Sequence, residues 1–151
     1  MRVLTWNLRS RREDRVDLAE VARVVRSASP DIALMQGAPR LWRWRSACAR
    51  LARESGLVVV TGGRPADGNL VMCAMRVRVV SSYDDRSRGA RAVLEAEGHR
   101  VSVLATQLDV GLGSEDVIGA GDELLVAPAW DLASRDVLEG GAVVADLVWV
   151  D

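Results

Sequence analysis

The chain has a single histidine, His99, only two cysteines, Cys48 and Cys73, and no lysine in 151 residues. Each shortage excludes something. With one imidazole, set in the polar turn Glu97-Gly98-His99-Arg100, no Ser-His-Asp or Cys-His nucleophile can be assembled, and an exposed His99 without a catalytic task is expected. The cysteines sit inside apolar patterns without metal-ligand spacing, which reads as buried thiols in a reducing compartment. No apolar run approaches the roughly 20 residues of a membrane-spanning helix. No charged-then-apolar leader precedes the first strand. The expectation is a cytoplasmic protein with no membrane contact. The net charge of −1 argues against a chain that is basic overall and binds nucleic acid by bulk charge. All 20 cationic side chains are arginine. That is a compositional habit, yet it favours bidentate phosphate contacts wherever arginines cluster.

What is present is a globular chain. A hydrophobic share of 49% over this length supports one domain, residues 1–151, with a real core. Arg2 to Asn7 is apolar and β-prone, and a charged loop follows from Ser10 to Arg15. Leu18, Val21, Ala22 and Val25 predict a helix over Asp17 to Ser27, ended by Pro30. Asp31 to Gln36 reads as a strand apolar on both faces, the pattern of a central strand. A second helix is expected from Leu41 to Ser55, with Leu41, Trp44, Cys48 and Leu51 as its buried stripe and Gly56 as its stop. Short strands follow: Leu57 to Thr61, Asn69 to Met75 and Val77 to Ser81. Ala90 to Ala96 and Arg100 to Thr106 form a hairpin around Glu97-Gly98-His99. Gly111 to Gly121 reads as a loop, Glu123 to Ala127 as a strand and Ala142 to Val150 as the last strand. Helices early and strands late predict α/β (α+β) layering.

The motifs at the strand ends resemble those of the endonuclease/exonuclease/phosphatase superfamily, the deoxyribonuclease-I-like metal-dependent phosphodiesterases. Thr5-Trp6-Asn7 resembles its T-W-N, and Leu34-Met35-Gln36-Gly37 stands where it has L-Q-E. Gly68-Asn69-Leu70-Val71 is similar to its G-N-x-V strand, and Arg88-Gly89-Ala90 to its R-G-A. Thr106-Gln107-Leu108-Asp109 is similar to T-H-L-D. Asp122-Glu123-Leu124-Leu125-Val126 is similar to an I-D-x-v-l-v strand, and Val143-Val144-Ala145-Asp146-Leu147 to the end of S-D-H-x-P-V-V-A-D-L. The resemblance implies a truncated four-layer-type β-sandwich, with helices on the outer face of the N-terminal half.

The departures carry the functional expectation. The family's hydrolysis uses a carboxylate to hold a divalent metal, an Asp to take a proton from water, and imidazoles on the phosphoryl oxygens. Here the metal Glu is Gly37, the His of T-H-L is Gln107, and Glu139-Gly140 replaces the terminal Asp-His. The G-D-x-N strand reads as missing together with the helix before it. Gly121-Asp122-Glu123-Leu124 is a broken version of that motif which fits the later strand better. The vestigial site is therefore Asn7, Gln36, Gly37, Asn69, Arg88, Gln107 and Asp109. The competing reading is that these polar groups only cap strand ends. Arg9, Arg40 and Arg43 are candidate substrate-binding groups, together with Arg11, Arg12 and Arg45 at the same rim and Trp42 as a base-stacking platform. The interleaved Glu13, Asp14 and Asp17 favour an ordinary solvated surface instead. The acids Glu115, Asp116, Asp122 and Glu123 match no calcium-loop spacing.

The expectation is a pseudoenzyme of this fold that has lost phosphodiester hydrolysis, needs no cofactor, and acts in binding or assembly. The alternative is a weak Mg- or Mn-dependent nuclease or phosphodiesterase using Asp109, Asp122 or Glu139 as substitute ligands. Alternating apolar residues in the second half, Val101, Val103 and Ala105 against Leu104, and Val143, Ala145 and Leu147 against Val144, Asp146 and Val148, leave a sheet without helices to cover it. A homodimer or a protein partner through that second-half sheet is expected.

Overall fold

The computed structural model describes residues 1–8, 17–107, 116–120, 123–125 and 130–149. β1 (Arg2–Asn7) and β2 (Ile32–Gln36) pair in parallel, with Val3 opposite Ile32 and Asn7 opposite Gln36. The crossover between them carries α1 (Leu18–Ala28). Its local rules agree with one another. The Asp17 side chain accepts the Ala19 N–H, Glu20 lies in the first turn and Arg26 in the last, and Val21, Ala22, Val24 and Val25 are buried. The next helix, α2 (Trp44–Ser55), leads to β3 (Val58–Gly63), which pairs antiparallel with β4 (Asn69–Cys73).

The second half supplies β5 (Arg78–Asp85), β6 (Gly89–Ala96), β7 (His99–Thr106), β8 (Asp116–Ala120), β9 (Glu123–Leu125), β10 (Trp130–Val137) and β11 (Val143–Trp149). Two sheets result, in the orders β10-β11-β1-β2-β4-β3 and β5-β6-β7-β8-β9. They pack face to face around one core. β2 is buried at every position because one face meets the second sheet and the other lies under the helices. This is the helix-covered α+β sandwich that the sequence implied.

Three expectations need correction. The stretch from Gly111 to Gly121 is not all loop: its last part is β8, parallel to β7 with Val103 opposite Val117 and Ala105 opposite Gly119. A strand therefore lies beside β7 and ends at Ala120, directly before Gly121-Asp122. The physical reason lies at Gly119. A Cβ there would sit 2.5 Å from Thr5 Oγ1 and 2.8 Å from Leu34 Cβ, so this glycine marks a close approach of two sheets rather than a turn.

The second correction concerns Leu41. α2 starts at Trp44, and Leu41 is 79% exposed instead of joining the buried stripe of Cys48 and Leu51.

The third concerns β11. It belongs to the first sheet, antiparallel to β1, so its residues do not build a bare second-half face. On the second sheet Val101, Val103 and Ala105 point into the core, and Leu104 is buried as well. The outer side of the β5–β7 pairs carries Arg78 bonded to Glu95 and Arg91 bonded to Ser102, together with the exposed Tyr83 opposite Arg91.

The β1–β11 pair carries a pH-sensitive contact. Arg2 Nε and Nη2 reach Asp146 Oδ1 and Oδ2 at 2.8 and 3.0 Å, and Ser134 Oγ donates to Oδ2 at 2.9 Å. The Arg2 hydrogen bond, aided by Ser134, holds the Asp146 carboxyl below the usual carboxylate range. A depressed folded pKa gives stability that is present above the unfolded value, about 4, and is lost as pH falls through the folded value. Both side chains are more than a third exposed, so solvent keeps the effect small. Asp146→Asn is expected to lower the thermal midpoint slightly at pH 6 and to leave it unchanged near pH 2. A larger deficit at the acid end would contradict this.

Candidate functional site

The direction of the strands brings the motif ends together. The Met1 N-terminus pairs with Glu97 in the β6–β7 turn at 3.2 Å, and Trp149 stacks on His99, so the start of β7 lies beside the start of β1. At the other end Gln36 Nε2 donates to the Gly119 carbonyl of β8 at 2.8 Å. β1, β2, β7 and β8 therefore all finish at one rim. Asn7 lies opposite Gln36 in the parallel pair. Met35 lies opposite Leu70 in the antiparallel pair, which sets Gln36 beside Asn69. The two-residue period of a strand turns Thr5, Asn7, Gln36 and Asn69 to the same inner face. Gln107 follows the end of β7, and the exposed Arg88 precedes β6, at the same rim.

This is a row of carboxamides, with Arg88 in the turn before β6 at the same end. Gln36 is fully buried, and its Nε2 also reaches Thr5 Oγ1 at 3.2 Å. Asn69 Nδ2 donates to the Ala66 carbonyl at 2.8 Å. The opposite atoms, Gln36 Oε1 and Asn69 Oδ1, are buried acceptors that take no hydrogen bond among the described residues. A buried acceptor left unpaired costs about 1–3 kcal/mol, so two side by side form a place that would take N–H or O–H groups from a ligand.

Two carboxylates near this end, Asp84 and Asp67, are engaged. Asp84, near the end of β5, accepts from Thr61 Oγ1 at 2.6 Å and ties the two sheets. Arg40 pairs with Asp67, so this candidate binding group is held against the β3–β4 turn. Arg43 is exposed and lies just before α2. Gly37 stands directly after Gln36 with φ 72°, in the left-handed region that favours glycine. Arg9, Arg11, Arg12 and Asp109 lie outside the described residues, as do Glu115 and Asp122.

The resemblance implies a divalent metal at this rim. Hard divalent cations take several oxygens with carboxylates among them. Among the described residues the inner row offers uncharged amide oxygens, and no three His, Cys, Asp or Glu side chains are grouped to hold a metal. That set does not fit Mg²⁺ or Mn²⁺. The thiols do not help: both are buried, and burial pushes Cys48 up to about 11. Two participants escaped sequence reasoning. Thr5 and Gly119 anchor Gln36, and the only signal was a threonine inside an otherwise apolar strand.

No protein-family model and no curated protein matches this sequence. Solved structures do match it in fold. An endonuclease/exonuclease/phosphatase from Beutenbergia cavernae aligns over 98% of this chain and 71% of its own, at 16% identity and a TM-score of 0.56. A truncated Caenorhabditis elegans TDP2 aligns over 73% of this chain at 17% identity and a TM-score of 0.53. A D. rerio TDP2 complexed with a single-strand DNA product aligns over 74% at 18% identity and a TM-score of 0.51. This chain spans about half the length of the TDP2 structures, 47% in both cases. Likeness at these identities is a likeness of fold: the protein has the endonuclease/exonuclease/phosphatase fold.

Proposed function

We propose that this protein is a member of the endonuclease/exonuclease/phosphatase superfamily whose rim binds a ligand and does not hydrolyse phosphodiesters. The observation that carries the reading is the pair of buried oxygens of Gln36 and Asn69, without a donor among the described residues, beside a glycine where the resembled family has its metal carboxylate. Buried acceptors favour a ligand that donates hydrogen bonds, whereas a phosphodiester presents acceptors of its own. Arg88 at the mouth adds a contact for an anionic group on the same ligand. Hydrolysis asks for a metal carboxylate and for groups that move protons near neutral pH. Gln107 hydrogen-bonds but does not titrate there.

The second reading, a weak Mg- or Mn-dependent phosphodiesterase, draws support from β8. Its placement beside β7 leaves Gly121-Asp122 next along the chain, an acid that a rebuilt centre would use. Titration calorimetry with Mn²⁺ and a hydrolysis panel of plasmid DNA and a model diester separate the two. The expected result is no stoichiometric Mn²⁺ binding and no turnover with Mg²⁺ or Mn²⁺. Turnover that needs Mn²⁺ and disappears in Asp122→Asn would overturn the proposal. Gly37→Glu with Gln107→His is expected to stay inactive as well. A non-glycine residue in the left-handed region costs about 1–2 kcal/mol, so a glutamate at position 37 would shift the backbone that has to aim it. Leu124 also stands where the family motif has Asn.

A further inference from the structure

The N-terminal end of α2 breaks the rules that α1 obeys. Arg43 occupies the cap position with φ 57° and no capping hydrogen bond from its side chain, and the first turn has no acidic residue. Just before it, Leu41 and Trp42 are 79% and 90% exposed. The neighbouring tryptophan shows the contrast. Trp44 packs so closely on Gly63 that a Cβ there would meet its ring at 2.5 Å, and Arg45 lies 4.6 Å over that ring. Trp44 is structural; Trp42 is left in solvent.

From Trp42 an open groove of about 590 Å³ runs down the outer face of α2, lined by Arg43, Ser46, Ala47, Ala49, Arg50 and Arg53. No acid lines it. Glu54 approaches Arg50 only to 4.0 Å, and no ion pair involves Arg43 or Arg53 among the described residues. The floor consists of alanine methyls and a serine, the lip is Trp42, and the borders are guanidinium groups. An apolar centre with a charged border, rich in Trp and Arg, is the composition of a protein–protein contact. A nucleic-acid strand would use the charge but would leave the methyl floor without partners.

We propose that this groove docks an acidic, partly apolar segment of a partner protein. One large apolar side chain seats against Trp42 and the Ala47–Ala49 floor, and carboxylates pair with Arg43, Arg50 and Arg53. The positive end of the α2 dipole acts in the same sense. The same features that weaken α2 in isolation become favourable contacts once an anionic partner arrives. The inference does not depend on what the rim binds, since the groove lies on the helix layer.

A displayed library of short random peptides, selected on the full chain, tests this. The enriched peptides are expected to combine several Asp or Glu residues with a large apolar residue. Their affinity is expected to fall about tenfold or more in Trp42→Ala and in Arg43→Glu/Arg50→Glu. These side chains are exposed, so the circular dichroism spectrum of each variant should match that of the parent. No enrichment, enriched peptides without acids, or affinities unchanged in both variants would overturn the proposal. So would a single-stranded oligothymidylate that binds the parent and is lost in the same variants while acidic peptides do not bind.

Discussion

Trp6→Ala is expected to destabilise the protein by about 3–5 kcal/mol, a large share of the 5–15 kcal/mol available to a domain of ordinary stability. Trp6 is fully buried on the face of the first sheet opposite Thr5, the face that lies under the helices. Its Nε1–H donates to the Gly140 carbonyl at 2.9 Å, which pins the turn leading into β11. Truncation removes the largest side chain of that layer and also strands the carbonyl. Trp6→Phe separates the two effects, since it keeps most of the apolar contact and loses only the donor. It is expected to cost about 1–3 kcal/mol. Denaturant unfolding of both variants gives the numbers. A loss below 1 kcal/mol for the alanine variant would mean that the layer repacks and that Trp6 does not hold the β10–β11 turn in place.

Gly119→Ala has the next largest expected effect, although it adds one methyl group. The added carbon would meet Thr5 Oγ1 at 2.5 Å and Leu34 Cβ at 2.8 Å, both on strands at the centre of the other sheet. Neither neighbour is a flexible chain end, so β8 has to move away. Overpacking of this kind costs about 1–3 kcal/mol. The movement also stretches the 2.8 Å bond from Gln36 Nε2 to the Gly119 carbonyl, and its loss would add a comparable amount. Gly98→Ala is the control: its Cβ meets nothing within 4 Å, so only its φ of 82° is at stake, worth about 1 kcal/mol. Thermal unfolding should therefore rank Gly119→Ala well below Gly98→Ala. The reverse order would mean that the sheets are not in contact at Gly119. Ligand binding at the rim should fail in Gly119→Ala as well, because the position of Gln36 depends on that carbonyl.

How much of this was legible differs from element to element. The sequence by itself determined the elements whose cause is local. Asp17, Glu20, Arg26 and Pro30 mark both ends of α1, and Glu97-Gly98 marks the β6–β7 turn with φ 53° and 82°. The polar residues that end apolar strands, Asn7, Gln36 and Asn69, were visible as motif ends, and the structure sets them side by side. Gly37, standing where the resembled family has a carboxylate, was also readable.

Tertiary structure decided what depends on partners far away in the chain. A glycine-rich stretch that reads as a loop contains a strand, because Thr5 and Leu34 leave no room for a side chain at Gly119. Leu41 fits a helical stripe by spacing, but the helix starts three residues later and leaves it in solvent. β11 alternates like a strand of either sheet, and only its pairing with β1 and β10 assigns it to the first. The periodicity of a strand states which residues share a face. It does not state which sheet that face will meet, since pairing is settled by the backbone and side chains of the neighbour, and those lie elsewhere in the sequence.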